Sequence, residues 1–269
     1  MKKPLRAQAV EYLQYLKEQG LTHVPSSGKK FAAPRPSSPP PPSPLAPRPP
    51  PSRASPPAPR LPPPPPSPPA PRPSPPRRSG PDTLESLAAE IAACQLCALA
   101  ATRKNVVPGQ GLLQPDILFV GEGPGADEDE QGLAFVGRAG QLLTKMILAM
   151  GYTREQVFIG NIVKCRPPGN RVPTPEEMAG CIPYLKRQIA VIRPKLIVCL
   201  GATAARGLVN ETMPIGKARG SWREFEGIPV MLTFHPAYLL RDPRQKAPCW
   251  ADLKAVLARL GKQPPAKDA

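Results

Sequence analysis

Nearly every second residue from Pro25 to Pro81 is proline, and no other feature narrows the folding options of this chain as much. Proline has no amide hydrogen to donate and a fixed φ, so such a stretch can enter neither a helix nor a sheet. Its only sizeable apolar side chains, Phe31, Leu45 and Leu61, cannot offset the entropy of ordering it. The 269-residue chain therefore divides into a short segment at residues 1–24, a disordered basic linker at 25–82 and one globular domain at 83–269. The last is long enough to build a full core without disulfides.

Thirty-six Lys and Arg stand against 20 Asp and Glu, a formal net charge of +16, and more than half of that excess lies on residues 1–82. The linker favours extended polyproline II and carries no acidic residue before Asp82. A stiff cationic tether ahead of a moderately basic domain suits a polyanion such as nucleic acid and disfavours a purely small-molecule enzyme. Residues 4–19 place Leu5, Ala9, Tyr12 and Leu16 on one helical stripe, widened by Val10 and Leu13, with Gly20 at the stop. So short a helix is marginal alone in water, and its apolar face needs either its own domain or a protein partner. No apolar run reaches the length of a bilayer span, and Glu11, Gln14, Lys17 and Glu18 interrupt any signal-peptide core. The chain reads as a cytoplasmic monomer whose six cysteines are thiols or metal ligands.

From Asp82 onward helices and apolar runs alternate. Helices are expected at Thr83–Ala101, Gly140–Met150, Pro175–Ile192, Ala202–Leu208 and Cys249–Leu260, with strands at Asp116–Gly121, Val157–Val163, Lys195–Gly201 and Pro229–Phe234 and a hairpin around Trp222 and Gly227. This predicts an α/β three-layer sandwich with a central, mostly parallel four-stranded sheet. Ligands of such sheets bind beyond the carboxyl ends of the strands. Three of the four ends carry polar residues there: Glu122, Asn161 and His235.

Cys94 and Cys97 form a CxxC, and Cys165 and Cys181 follow far downstream. Four thiolates can hold zinc or a [4Fe–4S] cluster, and the wide second spacing leans toward the larger group; unrelated buried thiols are the plainer alternative. Cys199 sits in an apolar strand as a core residue, and Cys249 has no evident partner. Gly121-Glu-Gly-Pro-Gly125 matches neither a P-loop nor a dinucleotide fingerprint, and most of the acids from Asp127 to Glu130 read as a solvated face. Asn161 is either a structural amide or a reader of a ligand edge, and His235 either a satisfied core imidazole or a catalyst. A carboxylate, an amide and an imidazole on neighbouring strand ends suit recognition of a nucleobase edge.

The stretches GEGPGADEDEQGLAFVGRAGQLL, NIVKCRPPGNRVPTPEEMAGC, IVCLG and FHPAYLLR, in that order, resemble the iron-sulfur, family 4 branch of the uracil-DNA glycosylases, and the likeness spans residues 83–260. The resemblance implies an enzyme of base excision repair in the cytosol of a bacterium or archaeon, at the nucleoid, that flips uracil out of DNA and hydrolyses its N-glycosidic bond. Cys94, Cys97, Cys165 and Cys181 match the ligands of a [4Fe–4S] cluster, and Glu122 matches the acid of the water-activating motif. Phe135 matches the aromatic that stacks on uracil, Asn161 the amide that reads its edge, and His235 the histidine at its O2. Gly123 would lie against the substrate. Leu239 is the expected wedge into the duplex, supported by Leu240 and Arg241, and Glu128 is a candidate barrier to thymine. Lys164, Arg166 and Arg171 are expected on a DNA-facing loop near the cluster.

A related branch that traps DNA covalently carries GEQPG and a histidine-bearing loop. Here the corresponding stretches are Gly121-Glu-Gly-Pro-Gly125 and a loop from Lys164 to Arg171 without histidine, which disfavours trapping. The competing reading is a non-catalytic or DNA-trapping uracil-DNA binding protein of the same fold.

Overall fold

The computed structural model describes residues 81–265, so the N-terminal helix expected at residues 4–19 and the linker up to residue 80 lie outside the described residues. In chain order the elements are α1 (Leu84–Ala93), β1 (Gln110–Gly111), β2 (Ile117–Gly121), α2 (Ala126–Gln131), α3 (Arg138–Ala149), β3 (Phe158–Asn161), α4 (Pro175–Ile192), β4 (Leu196–Leu200), α5 (Ala202–Val209), α6 (Ile215–Ala218), β5 (Trp222–Phe225), β6 (Ile228–Thr233), α7 (Pro236–Arg241) and α8 (Lys246–Arg259).

The strands form one six-stranded sheet in the order β1-β3-β2-β4-β6-β5. Its four inner strands are parallel, and each edge strand runs antiparallel to its neighbour. The four inner strands are those expected from the apolar runs. The expected count of four is corrected to six: β1, at two residues, is too short to show any periodicity, and β5 is the first arm of the hairpin at Trp222.

Alternation of side chains sends Phe119, Ile159, Val198 and Met231 to one face, against α3 and α8, and Val120, Phe158, Cys199 and Leu232 to the other, against α4 and α5. Both faces are thus covered, which is why these strands read as unbroken apolar runs.

Helix ends follow local chemistry. Thr174 caps α4 by accepting from the Glu177 N–H at 3.2 Å, Glu177 returns the bond from the Thr174 N–H at 2.8 Å, and Pro175 occupies the first turn. The single helix expected over Thr83–Ala101 is instead broken: α1 stops at Cys94, which is extended at φ −66° and ψ 133°, and a 3-10 turn follows at Ala98–Ala101. That break turns the CxxC toward α4, against which α1 is held by Arg187, whose guanidinium bonds both Asp82 and Glu90 at 2.6 to 3.0 Å. Among the described residues no helix is long and apolar enough to cross a membrane.

Candidate active site

The tips of the inner strands meet at one rim. Gly121 ends β2 and pairs in register with Asn161 at the end of β3. Beyond that pair the chains stay together, because the Ile162 N–H donates to the Gly121 carbonyl at 3.0 Å and the Val163 N–H to the Glu122 carbonyl at 3.1 Å. Any side chain at Gly121 would overlap both the Asn161 amide oxygen and the Phe135 ring, so those two groups share the space above that glycine. Phe135 in turn lies 5.7 Å from the His235 ring, centroid to centroid, tilted by 34°. Gly201, which follows β4 at φ +91°, leaves room for His235, whose Cβ would stand 3.0 Å from a Cβ on that glycine.

Glu122 is half-buried, and its Oε2 accepts a short hydrogen bond from the Thr203 hydroxyl in the first turn of α5. The amide and the imidazole expected from sequence thus both lie beside Phe135, while the acid, next in the chain to Gly121, is held by Thr203. Gly123 sits one step further along the turn, close against Val163.

Asn161 is 1% exposed, and its Oδ1 has no hydrogen-bond partner, while its backbone carbonyl accepts from the Lys164 ammonium at 3.0 Å. An unpaired buried acceptor costs about 1–3 kcal/mol, which a ligand donor can recover. His235 caps α7: its Nδ1 accepts from the Ala237 N–H at 3.1 Å. That bond places the ring proton on Nε2 in the neutral tautomer. Burial, with a smaller push from the Arg241 charge, lowers the His235 pKa to about 4, so the ring is a neutral Nε2–H donor at pH 7.

Three expected placements are corrected. Leu239 is 1% exposed and belongs to the core beneath α7, so it cannot enter a duplex; the exposed side chain of that turn is Leu240, at 44%. Lys164 is fully buried, bonded to Asn161 rather than facing outward. Arg171 spends its guanidinium on Glu177, at 2.7 and 2.8 Å, which leaves Arg166 as the less encumbered cation of that loop. Nor are all the acids of the Asp127–Glu130 run a solvated face. Glu128 accepts from the N–H groups of Gly125, Val136 and Gly137 at 2.8 to 3.0 Å, and Asp129 from those of Lys104 and Asn105 at 2.9 and 3.4 Å. Thr203 and Arg154 went unnoticed in the sequence, since neither belongs to a patterned cluster of reactive residues.

Cys94, Cys97, Cys165 and Cys181 come from three separated segments, yet their sulfurs lie within electrostatic reach of one another. The Arg103 guanidinium donates to Cys165 Sγ and the Lys164 N–H to Cys181 Sγ, both at 3.3 Å. Among the described residues no three ligating side chains converge on the position of a single ion. Thiols drawn from three segments into one neighbourhood supply the donor chemistry that a zinc ion or a [4Fe–4S] cluster takes. Cys199 is a core residue, as expected, and Cys249 is buried with its sulfur 3.3 Å from the Thr233 hydroxyl.

An α/β sheet whose strand tips hold this constellation falls within a family model described as the uracil DNA glycosylase superfamily, which matches residues 108–254. Among curated relatives, a type-4 uracil-DNA glycosylase of Archaeoglobus fulgidus is 43% identical over 192 residues, covering 68% of this chain and 96% of the relative. Another from Thermotoga maritima is 48% identical over 163 residues, covering 60% of this chain and 85% of the relative. The chain belongs to the type-4 uracil-DNA glycosylases.

Proposed function

We propose that this protein removes uracil from DNA by hydrolysing its N-glycosidic bond, leaving an abasic site for base excision repair. The observation that carries this reading is the buried, unpaired Oδ1 of Asn161 beside the Phe135 ring, which itself lies 5.7 Å from the ring of a neutral His235. Uracil offers a donor at N3 and an acceptor at O4, which an amide can satisfy together. Cytosine offers the reverse pair and would leave Oδ1 facing a lone pair, a mismatch that buried amides discriminate strongly.

The uracil must first leave the stack, at a cost of a few kcal/mol. Leu240, exposed on α7, fills the vacated space, and Arg166 and Arg241 grip phosphates. Phe135 stacks on the extruded base, and Gly123 lets backbone approach the substrate. As the glycosidic bond lengthens, positive charge grows on the sugar and negative charge on the base. The Nε2–H of His235 donates to uracil O2, a preorganised contribution of about 3 kcal/mol. Glu122, aimed by Thr203, faces the sugar and the water that adds to C1′, taking up that water's proton. The uracil anion leaves and is protonated by solvent.

Cys94, Cys97, Cys165 and Cys181 would hold a [4Fe–4S] cluster. When bound it ties α1 to the segment following β3 and shapes the adjacent loop, while the hydrolysis itself transfers no electrons. The test is release of free uracil from a uracil-containing oligonucleotide. Tight binding that leaves the bond intact would establish the non-catalytic alternative.

A further inference from the structure

Phe135 is one of few non-glycine residues here in the left-handed backbone region, at φ +54°, a conformation that persists only where the surroundings impose it. The surroundings do so from both sides. On the carbonyl side, Arg154 lays its fork across two successive peptides, donating from Nη1 to the Phe135 oxygen at 2.9 Å and from Nη2 to the Ala134 oxygen at 2.7 Å. The same Nη1 also donates to the Thr144 hydroxyl at 3.0 Å, which fixes the guanidinium against α3. On the amide side, Glu128 Oε1 accepts from the next two N–H groups, Val136 and Gly137, each at 2.8 Å. Gly140 completes the seat, since a side chain there would collide with the Phe135 carbonyl.

We propose that Arg154 is a positioning residue for excision: through its bonds to the Ala134 and Phe135 carbonyls it sets where the Phe135 ring stands relative to His235 and Asn161, and so how tightly uracil is stacked. This rests on the uracil-excising reading above. A cation on the carbonyls and an anion on the amides hold a strained tetrapeptide whose one aromatic ring floors the base site. A planar guanidinium can span two carbonyls at fixed spacing, whereas a lysine ammonium offers a single point of charge. No base, sugar or reacting atom need touch Arg154 for it to act.

The test compares Arg154→Lys in the native background and in a Phe135→Leu background, with KM and kcat for uracil release from a uracil-containing oligonucleotide. Thr144→Val, which removes only the brace, serves as a milder second variant. If Arg154 acts through the ring, Arg154→Lys lowers kcat/KM by roughly tenfold or more in the native chain and by less than about twofold once Phe135 is leucine. A direct readout is available because only two histidines are present, His23 and His235. The His235 proton resonances, which feel the Phe135 ring current, should move in Arg154→Lys and, less, in Thr144→Val. Equal losses in both backgrounds, or no loss with unmoved His235 resonances, would overturn the proposal. A native chain that releases no uracil would overturn the underlying reading instead, and the resonance shift would still report whether Arg154 places the ring.

Discussion

Gly121 and Asn161 are register partners at the ends of β2 and β3, and the amide oxygen of Asn161 lies over the glycine in the space a side chain would take. The Phe135 Cζ occupies the same space, 2.5 Å from where a Cβ on Gly121 would be. The glycine is thus a spacer that lets a reading group and a stacking group share one small volume. Gly121→Ala should lower kcat/KM for uracil release by about a hundredfold, because a shift near 1 Å in positioned groups costs that much. The thermal midpoint should also fall, by the few degrees that about 1–3 kcal/mol of overpacking against Asn161 and Phe135 costs. Near-normal activity in the variant would show that the volume is not the base site.

His235 yields a pH prediction with a defined sign. Its pKa is lowered to about 4, chiefly by burial, so the folded protein holds the neutral ring while the unfolded chain titrates near its ordinary value of about 6.5. Stability from this group is complete above that ordinary value and is lost as pH falls from there toward 4, because only the unfolded state gains the proton. The donor Nε2–H is present throughout, so histidine protonation should not limit activity until about pH 4. An NMR titration of His235 checks this directly, and a midpoint near 6.5 would contradict the buried, neutral donor. His235→Ala should cost about 10²–10³ in kcat.

Much of this architecture was legible because it is written in apolar runs. The four inner strands are covered on both faces, so Ile117–Val120 and Leu196–Leu200 show no polar alternation and announce themselves. The polar residues Glu122, Asn161 and His235 stand out for the same reason, as breaks in an apolar stretch. What stayed hidden depends on phase or on distant partners. Leu239 and Leu240 are indistinguishable until the packing of α7 decides which faces the core. Lys164 looks like a surface cation, yet its stem is buried and its ammonium ends on the Asn161 carbonyl. The acids after Gly125 look solvated until the backbone amides they hold are seen.

Thr203 orients the candidate acid, and its removal separates orientation from charge. Thr203→Val keeps the shape and deletes the donor to Glu122. The expected result is a kcat lower by about tenfold with little change in KM, since the lost bond matters most where charge develops on the sugar. Thr203→Ser should restore most of the rate. A change confined to KM would move Glu122 out of the chemical step.

The neighbouring leucines of α7 should respond oppositely. Leu239→Ala removes a core side chain and should destabilise the fold by about 2–5 kcal/mol, read as a lower denaturation midpoint. Leu240→Ala removes an exposed one and should leave stability within about 0.5 kcal/mol. Its effect should appear in excision from duplex DNA, with single-stranded substrate spared, because only the duplex requires a plug for the vacated stack. Equal losses on both substrates would deny Leu240 that role.

The cysteines make the last prediction, and it turns on one hydrogen bond to sulfur. Arg103 bridges the Ala92 carbonyl at 3.0 Å and Cys165 Sγ at 3.3 Å, so it links the end of α1 to the loop after β3. Purified anaerobically, the protein should be brown and contain iron and acid-labile sulfide in equal amounts, whereas colourless protein with stoichiometric zinc would refute the cluster. Cys165→Ser should bleach the colour and lower the thermal midpoint. Arg103→Met should keep the iron but shift the cluster's reduction potential, because donors to the ligating sulfur stabilise the more negative state. An unshifted potential would mean that the guanidinium serves packing alone.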